Sequence, residues 1–149
     1  MGNSLEGRVA IVTGSGRGIG ASIARLMASE GAAVVVNDLG VAVDGSMPDN
    51  TPAAGVVNEI KAAGGKAVAN YDNVADHDAA ENIIKTALDE FGRLDVLVNV
   101  AGILRDRMVF NLTEQEWDDV IRVDLKGHFT TIKPAAVLMR QQRYGRIVN

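Results

Sequence analysis

The stretch Thr13-Gly14-Ser15-Gly16-Arg17-Gly18-Ile19-Gly20 restricts what this chain can fold into more than any other. The apolar run Val9-Ala10-Ile11-Val12 leads into it, and a helical pattern with Ile23, Leu26 and Met27 on one side leads out. An apolar strand that turns through glycines into a helix makes a cradle for an anion. Glycine has no Cβ, so the backbone turns tightly and comes close to a bound group. The first free N–H groups of the helix and the positive end of its dipole then face that group. Here Gly14 makes the turn, Gly18 lets the anion approach, and Gly20 lets the helix pack on the strand. Ser15, Gly16, Arg17 and Ile19 fill the rest of the turn and are candidate contacts with Thr13.

The remaining chain alternates in the same way. Short apolar runs at Ala33–Val36, Ala67–Ala69, Val96–Val98 and Ile147–Val148 are separated by segments with three-to-four spacing. One such segment carries Ala53, Val57 and Ile60, and another carries Ala80, Ile83, Ala87, Leu88 and Phe91. Most of the runs are continuously apolar, as parallel strands covered on both faces should be. Strand following helix in this order predicts a parallel α/β sheet with right-handed crossovers. Gly31 and Gly64-Gly65 stand where helices end, and Thr113-x-x-Glu116 is a capping-box start for a helix with Trp117, Val120 and Ile121. That pattern runs on towards Gln142, with Pro134 expected to bend or break it. The stretch from Leu39 to Pro52, with Asp44-Gly45 and Pro48, lacks periodicity and is expected to be a mobile loop.

Composition narrows the function. A net charge of −4 argues against a nucleic-acid or anionic-membrane partner, because phosphate backbones call for clustered Lys and Arg. With no cysteine, disulfide frameworks and thiolate metal sites are excluded. His77 and His128 have no ligand-spaced partner, so no metal site is expected. No signal core, myristoylation pattern or membrane-length apolar run is present, and the expectation is a soluble cytoplasmic protein.

The second apolar run closes on Asp38, 18 positions after Gly20. A dinucleotide fold places a carboxylate about there to accept hydrogen bonds from the adenosine ribose hydroxyls. The same carboxylate repels a 2′-phosphate, by about 4 kcal/mol per unit charge pair at about 4 Å and an effective dielectric near 20. NAD is therefore expected over NADP, although Arg17 in the turn pulls the other way. Asp72, with Asn73 and Val74 behind it, follows the third run, where a carboxylate can accept from the exocyclic amine of adenine. Asn99, Val100, Ala101 and Gly102 end the fourth run beside the glycine turn, at the point where open α/β sheets bind ligands.

Together these residues resemble the short-chain dehydrogenase/reductase family. The marks are Thr13-Gly14-x-x-x-Gly18-x-Gly20, Asp72, and Phe91-Gly92-Arg93-Leu94-Asp95-Val96-Leu97-Val98-Asn99 leading into Ala101-Gly102, with Gly145-Arg146-Ile147-Val148-Asn149 like the start of the fifth strand. Val36 to Gly40, Ala69 to Asp72 and Gly102 to Arg107 look most like the (3R)-hydroxyacyl-CoA dehydrogenase branch. The resemblance implies a Rossmann-type doubly wound sheet of order 3-2-1-4-5, cut off after the start of strand five. It implies one dinucleotide-binding domain over 1–149, without the family's C-terminal catalytic half. It also implies NAD-linked hydride transfer on a secondary alcohol or ketone, the substrate being a small molecule such as a 3-hydroxyacyl-CoA.

The chain departs from the family in three places. Val100 replaces the second Asn of Asn-Asn-Ala-Gly, and Asp124 stands where the family has a helix asparagine that helps hold a proton-relay water. Asp124 is thus the one candidate on the catalytic side. No Tyr-x-x-x-Lys occurs here: Tyr71 is followed four residues on by Ala75 and Tyr144 by Val148. The family chemistry needs a tyrosine acid/base beside a lysine. Lys126 and Lys133 read as surface residues, as do Arg105 and Arg107, although these guanidiniums could also meet a coenzyme A phosphate. Three readings follow: the cofactor-binding part of an oxidoreductase, a non-catalytic NAD-binding module, or a structural fragment. Phe129, Ile132, Leu138 and Met139 are expected to leave an apolar patch and to drive homo-oligomer formation through the long helix after Thr113.

Overall fold

The computed structural model describes residues 3–40 and 51–149, so Asp44-Gly45 and Pro48 lie outside the described residues. Five parallel strands, β1 (Val9–Thr13), β2 (Ala33–Asn37), β3 (Lys66–Asn70), β4 (Val96–Val98) and β5 (Arg146–Val148), lie in the order β3-β2-β1-β4-β5. This is the expected Rossmann-type α/β sheet. Successive side chains of a strand point to opposite faces, and the core divides accordingly. Ala10, Val12, Val34 and Val36 pack under helices α1 (Gly18–Ser29) and α2 (Thr51–Ala62). Val9, Ile11, Val35 and Leu97 pack under α3 (His77–Phe91) and α5 (Gly127–Gln142). Ile83 of α3, fully buried, contributes about 2 to 3 kcal/mol by leaving water.

Helix α1 corrects one expectation. Its buried face is Gly20, Ala21, Ala24 and Ala28, whereas Leu26 is 62% exposed. The helix starts so close to the glycine turn that only small side chains fit beneath it; a Cβ on Gly20 would lie 2.2 Å from the Gly14 carbonyl oxygen. Helix α2 buries Ala53, Val57 and Ile60 as the spacing predicts, with Val56 added. Helix α3 starts at Asp76, whose side chain accepts from the Ala79 N–H, and closes on Gly92 at φ +79°. On its stripe Ala80, Ile83 and Ala87 are buried, with Ile84 beside them, while Leu88 is exposed.

The capping box forms as read from the sequence: Thr113 accepts from the Glu116 N–H, and Glu116 accepts from the Thr113 N–H, opening α4 (Glu114–Val120). The Glu116 carboxyl lies below its ordinary range because the Thr113 N–H and hydroxyl, then Arg107, favour its charged form. The irregularity downstream is not at Pro134, which sits inside an unbroken α5. It is a π-helical turn at Ile121–Lys126 between α4 and α5. That turn shifts the helical phase. Within α5, Met139 is core rather than patch, Ile132 and Leu138 pack partly against the buried cluster, and Phe129 faces outward with Trp117 and Leu125.

At the N-terminal edge of the sheet, Asp95 is fully buried and accepts from the Val9 N–H and from the guanidiniums of Arg8 and Arg93. Burial pushes its carboxyl up, but Arg93, Val9 and Arg8 together hold it below the ordinary carboxylate value. Asp95 in turn raises Arg93. Arg8 also stacks over the Tyr144 ring, 4.1 Å from its centre.

Candidate cofactor site

A cleft of about 390 Å³ opens at the C-terminal edge of the strands. Its floor is the turn between β1 and α1 beside the end of β4. Gly14 has φ +61°, and a Cβ there would lie 2.7 Å from the Ala101 Cα, so only glycine lets these two turns touch. Thr13 is buried, and its hydroxyl accepts from the Val100 and Ala101 N–H groups at 3.0 and 3.2 Å. Ser15 is buried too, its hydroxyl donating to the Val12 carbonyl at 2.6 Å. Both side chains therefore serve the scaffold. Gly14, Arg17, Gly18, Ile19 and Gly20 line the cleft. Arg17 stands at the N-cap of α1 without a side-chain cap bond, so among the described residues no side chain caps the first-turn N–H groups. A Cβ on Gly18 would meet nothing within 4 Å, which leaves that amide approachable.

Asp38 ends β2 on the cleft wall. One carboxylate oxygen accepts from the Gly16 N–H at 2.7 Å and the other from the Gly40 N–H at 2.8 Å. Those bonds aim the carboxylate beside the glycine turn and leave lone pairs on each oxygen. Asp72 lines the cleft after β3, with one oxygen accepting from Asn70 and Asn82 side chains at 2.7 and 2.6 Å. Asn37, buried beneath, bridges Asn70 and the Asp72 carbonyl. Asn73 lines the cleft while its side chain accepts from the Ala75 N–H, and Val74 lines it from below.

The end of β4 divides. Val100, Ala101 and Gly102 line the cleft, but Asn99 is buried and bonds to Thr131 and Asn149 at 2.9 Å each. Asp124 is outside the cleft lining, and its carboxylate accepts from the Ile103 N–H at 2.9 Å, tying the turn after β4 to the π-helical segment. Arg105 pairs with Asp119 and Arg107 with Glu116. Ile103, Asp119, Arg122 and Val123 also line the cleft and were missed by the sequence reading. The three-residue spacing of Asp119 and Arg122 on one helix face was the available signal.

The cleft thus sets Asp38, Asp72 and Asp119 against Arg17, Arg105 and Arg122. A broader hollow of about 880 Å³ lies at the other edge, bounded by Arg8, Arg25, Lys66 and Glu90, and holds none of the predicted site residues. Open α/β sheets bind ligands at the carboxyl ends of their strands, which favours the smaller cleft. Among the described residues, no group of His, Asp and Glu could hold a metal ion, and no helix is long and apolar enough to cross a membrane.

A parallel sheet of this order with a glycine turn at its first crossover defines a Rossmann-type protein. The short chain dehydrogenase family model matches residues 8–149, and the chain belongs to that family. It is 48% identical over 145 residues to the peroxisomal hydratase-dehydrogenase-epimerase of Neurospora crassa, covering 97% of this chain and 16% of that protein. It is 48% identical over 140 residues to a 3-oxoacyl-[acyl-carrier-protein] reductase of Staphylococcus aureus, covering 94% of this chain and 54% of that one. A crystal structure of a short chain dehydrogenase from Mycobacterium avium superposes with a TM-score of 0.89 at 53% identity, over all of this chain and 53% of the other. The chain spans about half the length of the Staphylococcus and Mycobacterium proteins and less of the fungal one.

Proposed function

We propose that residues 1–149 are the NAD-binding part of an oxidoreductase that moves hydride between NAD and a secondary alcohol or ketone. The observation that carries this is one cleft lined by the glycine turn, Asp38 and Asp72 together. The N–H groups opening α1 would receive the diphosphate, Asp38 the ribose hydroxyls, and Asp72 the adenine amine. Ala101 and Gly102 would leave room for the nicotinamide ribose. NAD supplies a carbon that accepts or gives hydride; the residues here hold and orient it. Preference for NAD over NADP rests on Asp38, whose charge lies where a 2′-phosphate would come. The relatives' names, a dehydrogenase of a hydratase-dehydrogenase-epimerase and a 3-oxoacyl reductase, support an acyl thioester as substrate.

These 149 residues contain no Tyr-x-x-x-Lys, so by themselves they bind NAD without turning over substrate. The outward Trp117, Leu125 and Phe129 favour association through α4 and α5. Calorimetric titration tests the reading. NAD should bind at least tenfold more tightly than NADP, about 1.4 kcal/mol. No heat with millimolar NAD would overturn it.

A further inference from the structure

We propose that Gly16, a glycine the family pattern does not call for, is a positioning residue that sets the choice between NAD and NADP by locking the Asp38 carboxylate. This rests on the reading of the cleft as an NAD site.

The pattern Thr13-Gly14-x-x-x-Gly18-x-Gly20 leaves position 16 open. Backbone conformation leaves it open as well. Gly14 and Gly18 sit at φ +61° and +53°, whereas φ at Gly16 lies outside the left-handed region. Space is what restricts it. A Cβ at position 16 would lie 2.8 Å from one Asp38 carboxylate oxygen and 2.8 Å from the Pro52 Cβ. Gly16 is buried and stands behind Asp38, outside the cleft lining. A buried N–H needs an acceptor, and here it is that same Asp38 oxygen, at 2.7 Å. The other oxygen accepts from the Gly40 N–H at 2.8 Å, with Gly40 held at φ +81°.

Two amides from different segments thus grip the carboxylate, one on each oxygen, at the short distances of charge-assisted bonds. Its orientation is fixed before any sugar arrives, so a ribose meets acceptors that cost little to order. A 2′-phosphate meets a negative charge that cannot swing aside, and selection against NADP follows from that built-in repulsion. Arg17, the next residue, lines the same cleft and attracts a phosphate once the carboxylate moves. A methyl on residue 16 occupies the place of the Asp38 oxygen. The short side chain must then turn away, and the lock opens.

The test titrates the unaltered chain, Gly16→Ala, Asp38→Ala and the double variant with NAD and NADP by calorimetry, each first checked by thermal melting. Gly16→Ala should weaken NAD about tenfold while NADP changes less than about threefold. In the Asp38→Ala background the same substitution should change either dinucleotide by less than about threefold, because its effect runs through the missing carboxylate. A methyl that merely deforms the cradle would weaken both dinucleotides equally, with or without Asp38. That result, or an unaltered NAD preference in Gly16→Ala, overturns the lock. Hydrogen exchange of the cofactor-free chain needs no variant at position 16. The Gly16 amide should be protected and should exchange about tenfold faster or more in Asp38→Ala; an unaltered rate also overturns the lock. If the unaltered chain binds neither dinucleotide, the cofactor reading fails and the selectivity role with it.

Discussion

The two edges of the sheet end the same strands in opposite ways. At the N-terminal edge the charged groups are spent on one another: Asp95 is fully buried, and Val9, Arg8 and Arg93 supply its partners. At the C-terminal edge the acidic groups Asp38 and Asp72 are anchored by a few bonds but keep oxygen lone pairs facing a cleft. The first arrangement contributes to stability; under the function proposed above, the second serves recognition. A carboxylate's neighbours, more than its presence at a strand end, separate the two roles.

The largest expected effect breaks the recognition edge outright. Gly20→Val drives side-chain atoms into the Gly14 carbonyl, since even a Cβ would lie 2.2 Å away. It should cost about 3 kcal/mol or more in urea unfolding and abolish NAD binding. Next, Asp95→Asn should cost about 2 kcal/mol, because two partly exposed guanidiniums lose their buried counter-charge. NAD affinity of the folded fraction should stay the same, and a fall would blur the division between the edges.

The sign of the pH effect follows from the lowered Asp95 carboxyl. A group depressed on folding stabilises the native state above its unfolded value, about 3.9, and loses that contribution as pH falls through the lower folded value. Acid unfolding curves should therefore drop below about pH 4, and Asp95→Asn should flatten that limb. Asp38→Ala should do the converse of Asp95→Asn, weakening NAD binding about tenfold and narrowing the gap to NADP, with less effect on unfolding. Thr113→Ala is the smallest, about 1 kcal/mol through the lost helix cap, read by thermal melting.

The sheet was legible because each strand is a compact apolar run and each helix carries its own punctuation. Asp38 and Asp72 were placed at the cleft for the same reason: a residue closing a parallel strand must emerge at the carboxyl edge. What could not be read was direction. Thr13, Ser15 and Asn99 have polar side chains at the right positions, yet they turn into the scaffold to satisfy backbone or one another. Spacing along one dimension carries no such information. Leu26 misled because hydrophobicity favours large residues, while the tight start of α1 admits only alanine and glycine. Met139 misled because it lies two helical turns from Ile132, on the face of α5 that packs on the sheet, whereas Phe129 lies on another face.

The Thr13 hydroxyl, accepting from two consecutive amides across the sheet, has a mechanical consequence. It rivets the first and fourth strand ends into one plate, so that the bottom of the cavity keeps its shape whether or not anything lies on it. A guest settling there spends little on ordering that plate. Adaptation to different guests then falls to the rim, where side chains from the long helical segment can be exchanged without disturbing the base on which they stand.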